Sequence, residues 1–166
     1  MRRIGARLCR GQGGTLTVTY VLEGELDRLR VPAPRPPRIG DRLWQHTCFE
    51  IFIRRQSSPE YHEFNLALSG EWAAYAFERY REGAPLMDET LNPQITLRTA
   101  AGKLELDAVI RLDPLSPMHA HAGLSLALSA VVEERDGALS YWALRHPPGK
   151  PGFHHPDSFA LQLTNA

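Results

Sequence analysis

Strict alternation of apolar and polar side chains over long runs leaves this chain few ways to fold. In Lys103 to Leu112 the even positions are Leu104, Leu106, Ala108, Ile110 and Leu112, and the odd ones include Glu105, Asp107 and Arg111. Such a run separates a core face from a water face only when successive side chains point to opposite sides, as in a β-strand. The same period of two runs through residues 14–23, where Leu16, Val18, Tyr20 and Leu22 oppose Thr15, Thr17 and Thr19. In Leu43 to Arg54, Phe49, Ile51 and Ile53 share a face with Thr47, and Cys48, Glu50 and Phe52 share the other. Large apolar groups on both sides mark that segment as a central strand.

Turn residues divide these runs into hairpins. Tyr61 to Leu68 alternates, Ser69-Gly70 turns, and Glu71 to Phe77 returns, although the Ala-rich middle of Glu71 to Arg81 is also compatible with a helix. A second hairpin joins Ile95–Thr99 to Lys103–Leu112 through Ala101-Gly102, and a third joins Leu124–Glu134 to Ala138–Arg145 through Asp136-Gly137. Phe159 to Leu163 supplies a closing strand, and Pro32-Ala33-Pro34-Arg35-Pro36-Pro37 is an extended surface connection. Eight or more strands with turns every dozen residues predict an all-β fold. The expected architecture is an antiparallel two-sheet β-sandwich, immunoglobulin-like or jelly-roll-like, with few or no helices. No repeat or composition shift divides the 166 residues, so residues 1–166 are expected to form one domain.

Charge narrows the partners. Nineteen Lys and Arg balance nineteen Asp and Glu, so no sequence-wide field draws in a phosphate backbone or an anionic bilayer, and neither nucleic acid nor membrane is expected as a partner. No apolar run reaches the ~20 residues of a spanning helix. The start, Met1-Arg2-Arg3-Ile4-Gly5-Ala6-Arg7, has cations without the apolar core of a signal peptide, and the expected location is cytoplasmic. Cys9 and Cys48 form at most one disulfide, and Cys48, inside an apolar run, reads as a core thiol.

Enzyme templates mostly fail. There is no phosphate loop, no Gly-x-Ser-x-Gly elbow, no His-Glu-x-x-His helix and no dinucleotide fingerprint. Glu50 and Glu63 are the carboxylate pair to consider: on neighbouring strands, both facing away from the apolar faces, they come within reach of one ligand. A carboxylate-pair enzyme acting on a glycoside-like substrate, with His46 or His146 assisting, is the alternative this pair keeps open. His119-Ala120-His121 and His154-His155-Pro156-Asp157 offer metal-ligand types, but they sit in turn-rich loops without a second ligand group at fixed spacing. They read as incidental surface histidines, and no metal or other cofactor is expected. Met87 and Met118 lie in loops with nothing to place them opposite a histidine as an axial heme pair.

The aromatic residues carry more. Trp44, Trp72, Trp142, Tyr61, Tyr75, Tyr80 and Tyr141 cluster at strand ends, near Glu50, Glu63, Asn65, Arg81 and His146. Flat rings beside carboxylate, amide and guanidinium groups are what sugar recognition uses, the ring covering the C–H face while polar groups take the hydroxyls. The bland counterpart is a core with amphipathic edges, in which Trp44 and Trp142 serve packing or a protein interface.

Several stretches in order carry a family resemblance: Leu43-Trp44-Gln45-His46-Thr47-Cys48-Phe49-Glu50-Ile51-Phe52-Ile53, Tyr61-His62-Glu63-Phe64-Asn65, Ser69-Gly70-Glu71-Trp72-Ala73-Ala74-Tyr75, Tyr80-Arg81-Glu82-Gly83, Tyr141-Trp142-Ala143-Leu144 and Phe153-His154. From about Leu16 onward the chain resembles the bacterial DOMON-like proteins, relatives of the family nine carbohydrate-binding modules. The resemblance implies a β-sandwich that binds a ligand, with relatives that take sugars or heme. In the sugar-binding relatives two tryptophans sandwich the sugar and a glutamate follows the first by six positions. Trp44 and Glu50 match that spacing, Trp142 falls near the second clamp position, and Glu63 and Asn65 fall where polar contacts are expected. Ala67-Leu68-Ser69 and Gly83-Ala84-Pro85 depart from the group's turns, no calcium ligand set is identifiable, and the heme ligands have no matching motif. The expectation is non-catalytic binding of a small polar ligand, a saccharide first, through Trp44, Glu50, Glu63, Asn65, Trp142, Tyr141 and Arg81.

Overall fold

A computed structural model describes residues 1–150 and 152–164. Eleven strands are present among them: β1 Arg3–Arg10, β2 Thr15–Glu23, β3 Cys48–Arg55, β4 Tyr61–Ala67, β5 Trp72–Arg79, β6 Glu82–Pro85, β7 Gln94–Ala100, β8 Lys103–Arg111, β9 Leu124–Glu133, β10 Leu139–Ala143 and β11 Leu161–Leu163. Helical structure among the described residues is confined to four single 3-10 turns, at Leu26–Arg28, Leu43–Gln45, Glu89–Leu91 and Pro156–Ser158. The fold is the all-β antiparallel sandwich that the alternation predicts. Residues 72–79 are a strand, so the helical option for the Ala-rich segment is excluded: opposite β4, Ala73 and Ala74 pack on both faces of a sheet, where their small side chains fit. No described helix is long and apolar enough to cross a membrane.

The smaller sheet runs β1-β2-β8-β7 and the larger β10-β9-β3-β4-β5-β6, with β11 pairing a further stretch of β9. Leu16, Val18, Tyr20 and Leu22 of β2 and the even residues of β8 meet Phe49, Ile51, Phe64, Leu126 and Leu128 of the larger sheet in one core. The hairpin turns are where the sequence puts them, and Gly102 and Gly137 hold φ of +69° and +87°, which favours glycine. Two strands escape the periodicity reading. β1 is an edge strand whose apolar face is only Ile4, Ala6 and Leu8, opposite Arg3, Gly5 and Arg7, and β6 is four exposed residues.

The two layers are joined by more than apolar contact. The Tyr20 hydroxyl donates to the Glu50 carbonyl across 2.6 Å in the buried interior, and the Tyr20 and Phe49 rings lie 4.8 Å apart. Removing that hydroxyl leaves a buried carbonyl short of a donor. Tyr20→Phe is expected to lower unfolding free energy by about 1–2 kcal/mol at unchanged denaturant slope. A loss within experimental error of zero would mean that the hydrogen bond contributes nothing.

Candidate functional site

Register decides what the outer face of the larger sheet carries. Directly paired residues share a face, so Glu50↔Asn65, Phe52↔Glu63 and Glu63↔Tyr75 stand on one side together with Ser129, which pairs Glu50 from β9. Across β10, Tyr141↔Val131 falls on this side and Trp142↔Ala130 on the other. A cavity of about 690 Å³ opens on the outer face. Its floor is Glu50, Glu63 and Val131, its walls are Tyr75, Phe77, Phe153 and His154, and Trp44, Tyr141, Arg81 and Lys150 complete the lining.

Five of the seven residues singled out in the sequence therefore meet at one cavity: Trp44, Glu50, Glu63, Arg81 and Tyr141. Asn65 lies beside it on the same face, wholly buried. Trp142 does not line it. Being one residue beyond Tyr141, it points to the opposite face, packs against the core and donates from Nε1 to Ser140 Oγ at 2.9 Å. The two-tryptophan clamp that the resemblance implies is not formed, and Tyr141 and Phe153, with centroids 6.3 Å apart, are the rings present on that side. Trp44 is also not on the strand of Glu50. It rides the 3-10 turn Leu43–Gln45, entered through Arg42 at φ 49°. That turn is pinned from behind: His46 Nδ1 meets Glu133 Oε2 at 2.8 Å and the Glu133 amide donates to Thr47 Oγ1 at 3.0 Å. Trp44 itself is 44% exposed and Tyr141 49%.

His46 is thus committed to Glu133, and neither it nor His146 lines the cavity. The histidine that does is His154, which sequence reasoning set aside as surface. The Arg81 amide donates to the Tyr61 hydroxyl at 3.1 Å, and that hydroxyl lies 3.0 Å from His154 Nδ1. A hydroxyl that accepts from Arg81 has its own proton to give to Nδ1, which leaves the imidazole proton on Nε2, facing Glu63 Oε2 at 3.6 Å. Burial, with Arg81 adding to it, pushes His154 down to about 4, so the ring is neutral at pH 7. Its orientation is fixed by edge contacts with Phe52 and Phe77, each at 5.0 Å between centroids. Phe77 and Phe153 were missed because residues 71–81 gave no firm register and 153 sits in a loop. The one available signal is that Ala73, Tyr75 and Phe77 share one face of this run, opposite Ala74 and Ala76.

Glu50 and Glu63 are 4% and 6% exposed. Burial raises Glu50 from 4.5 to about 7, and burial together with the charge of Glu50 raises Glu63 to about 8. The Ser129 hydroxyl, donating to Glu50 Oε2 at 3.0 Å, offsets part of this. At neutral pH the pair therefore retains a proton. The Asn65 amide lies near enough to Glu63 to favour its charge slightly, yet neither amide atom makes a well-formed hydrogen bond. Cys48, the core thiol of the sequence reading, is buried on this same face and its pKa is pushed well up, first by burial and then by both carboxyls. Of the other histidines in the two loop clusters, His119 is buried with both ring nitrogens unpartnered and His121 is exposed. No group of three or more metal-ligating side chains that could hold an ion occurs among the described residues.

No family model matches the chain, and no curated protein matches it. Its fold is similar to that of a candidate carbohydrate-binding protein from Bacteroides uniformis, known from a crystal structure, with a TM-score of 0.65. The match covers 93% of this chain and 75% of that one at 13% sequence identity, so the likeness is one of fold.

Because folding raises both carboxyls, the folded state keeps protons that the unfolded chain has released, and stability falls as pH rises from 4.5 through about 8. Glu71, Glu133 and Asp107 act in the opposite sense: their lowered pKa values add stability that is lost as pH falls below the ordinary carboxylate range. Thermal stability is expected to be greatest at about pH 4 to 5, where the pair is still protonated and the ion-paired carboxylates keep their charge. Glu63→Gln should flatten the decline on the alkaline side and raise Tm at about pH 8. A wild-type Tm that stays level from about pH 5 to about pH 8 would contradict the uncompensated burial of the pair.

Proposed function

We propose that this chain binds a saccharide, without catalysis, in the cavity formed by Trp44, Glu50, Glu63, Arg81 and Tyr141. The observation that carries the reading is the pairing of half-exposed rings at the cavity's edge with a buried polar floor. An indole or phenol ring covers the apolar C–H face of a sugar, and carboxyl, guanidinium and ammonium groups exchange hydrogen bonds with its hydroxyls. A volume of about 690 Å³ accommodates one or two sugar rings. The fold likeness to the Bacteroides uniformis protein favours a saccharide among polar ligands, and the resemblance to DOMON-like proteins and family nine modules belongs to the same reading. In this proposal Asn65 backs the floor rather than touching ligand, and Trp142 serves the core.

Each ring contributes about 1 kcal/mol and the charge-assisted contacts somewhat more, which places affinity in the micromolar to millimolar range. Trp44→Ala and Tyr141→Ala are each expected to weaken sugar binding by about two- to tenfold with Tm almost unchanged, since both rings are half exposed. Trp142→Ala is expected to cost about 2 kcal/mol or more in stability, as a ring packed against the core. Titration calorimetry over a panel of mono- and disaccharides is the test. A panel without a single binder would remove the saccharide from this reading.

A further inference from the structure

The floor of the cavity differs from the other buried glutamate, Glu133, and from the half-buried Glu71 and Glu105. Each of those has its cation: Glu133 meets Arg30 and His46 at 2.8 Å each, Glu71 meets Arg38 at 2.8 Å and Arg35 at 3.3 Å, and Glu105 meets Lys103 at 2.6 Å. Glu50 and Glu63 are as buried as any of these, and no Lys or Arg is paired with either. The single basic contact is His154 Nε2 at 3.6 Å from Glu63, on a ring that is neutral. Burying carboxyls without a partner is unfavourable unless they keep a proton or receive a cation from outside.

We infer that the ligand is a sugar bearing a protonated amino group, with the ammonium seated between Glu50 and Glu63 and the ring set against Trp44 and Tyr141. This rests on the saccharide reading and sharpens it. The aromatic lining is compatible with a cation as well, since the rings of Tyr75, Phe77, Tyr141 and Phe153 border the cavity and an aromatic face presented to an ammonium group attracts it. A calcium ion fits less well. It requires six to eight oxygen ligands, while the floor offers two carboxyls, the Ser129 hydroxyl already bonded to Glu50, and the Asn65 amide. A bare amine fits less well too. Arg81 and Lys150 are exposed cations in the cavity lining, and a sugar brings them hydroxyl oxygens to bind.

The other titratable groups facing the pair stay fixed over the relevant range. Cys48, Tyr61 and Tyr75 are held neutral by burial, with the carboxyls adding to it, Tyr20 reaches Glu50 from the core side as a buried phenol, and His154 titrates near 4.

The test is calorimetry at about pH 7 with glucosamine, galactosamine and mannosamine, each set against its parent hexose and its N-acetyl derivative, on the wild type, Glu63→Gln and Glu50→Gln. Both variants are isosteric and neutral, and their folding is checked by thermal melts. The expected result is that one amino sugar binds at least about tenfold tighter than its neutral counterparts, with the preference falling to about threefold or less in either variant that folds. A parent hexose or N-acetyl sugar binding as tightly as the amino sugar overturns the inference and leaves the saccharide reading in place. An amino-sugar preference that survives both substitutions overturns the ammonium's placement. Calcium chloride raising the Tm of the wild type but not of Glu63→Gln assigns the floor to a metal and overturns it as well. If no sugar of any kind binds, both the inference and the reading beneath it fall.

Discussion

β3 and β9 are hydrogen-bonded from Cys48↔Val131 to Arg55↔Leu124, and both strands are shielded on both faces along almost their whole length. That double burial is the constraint under which the rest is arranged. The inner face is met by a full second sheet, through Leu16, Val18 and Tyr20 on β2 and Leu104, Leu106 and Ile110 on β8. The outer face has no second sheet. It is covered by the Leu43–Gln45 turn at one side and by Phe153, His154 and Phe159 at the other. Cover assembled from separate loop pieces does not close at interior packing density, and the gap between the pieces is the cavity.

The consequence is electrostatic. A strand face turned to water carries glutamates at no cost, whereas the same glutamates under a partial roof keep their desolvation penalty without gaining a counter-ion. His154 does not relieve it, because its own burial strips the proton that would have made it a cation. The chain Arg81–Tyr61–His154 holds that ring in place, with Tyr61 stacked on Phe77 at 4.7 Å and 11° between planes. What results is a wall that is rigid and neutral above a floor that is short of positive charge.

Much of this was legible in the chain itself, and the misses have definite physical causes. Long alternating runs such as Lys103–Leu112 and residues 14–23 specify both the strand and its inner face, because one side of each is wholly apolar. β1 and β6 are less legible: β1 offers only Ile4, Ala6 and Leu8 among three arginines, and β6 is four exposed residues. At the site, Glu50 and Glu63 could be placed on one face from parity alone. Trp142 could not, because Tyr141 and Trp142 are adjacent and both large, and only the pairing with Val131 and Ala130 says which ring turns outward. Trp44 was assigned to the strand of Glu50 since nothing in its residue type reveals that the backbone enters a 3-10 turn at Arg42. His154 was invisible as a wall residue because a loop's path over a sheet is set by contacts distant in sequence.

The order of strands in the larger sheet has a consequence for how the chain acquires its fold. β4 and β5 join β3 through short local turns, but the other flank of β3 belongs to β9, and the Ser129–Glu50 contact spans 79 residues. In the smaller sheet the Thr19–Asp107 bond between β2 and β8 spans 88. A chain emerging from its N-terminus therefore makes the β3-β4-β5 meander while one edge of β3, rich in Phe and Ile, is still without a neighbour. Until residues 124–133 arrive, that edge is open to any extended strand nearby. Pairings of such sequence separation slow folding, and the time for which β3 waits for β9 is an interval of exposure to aggregation.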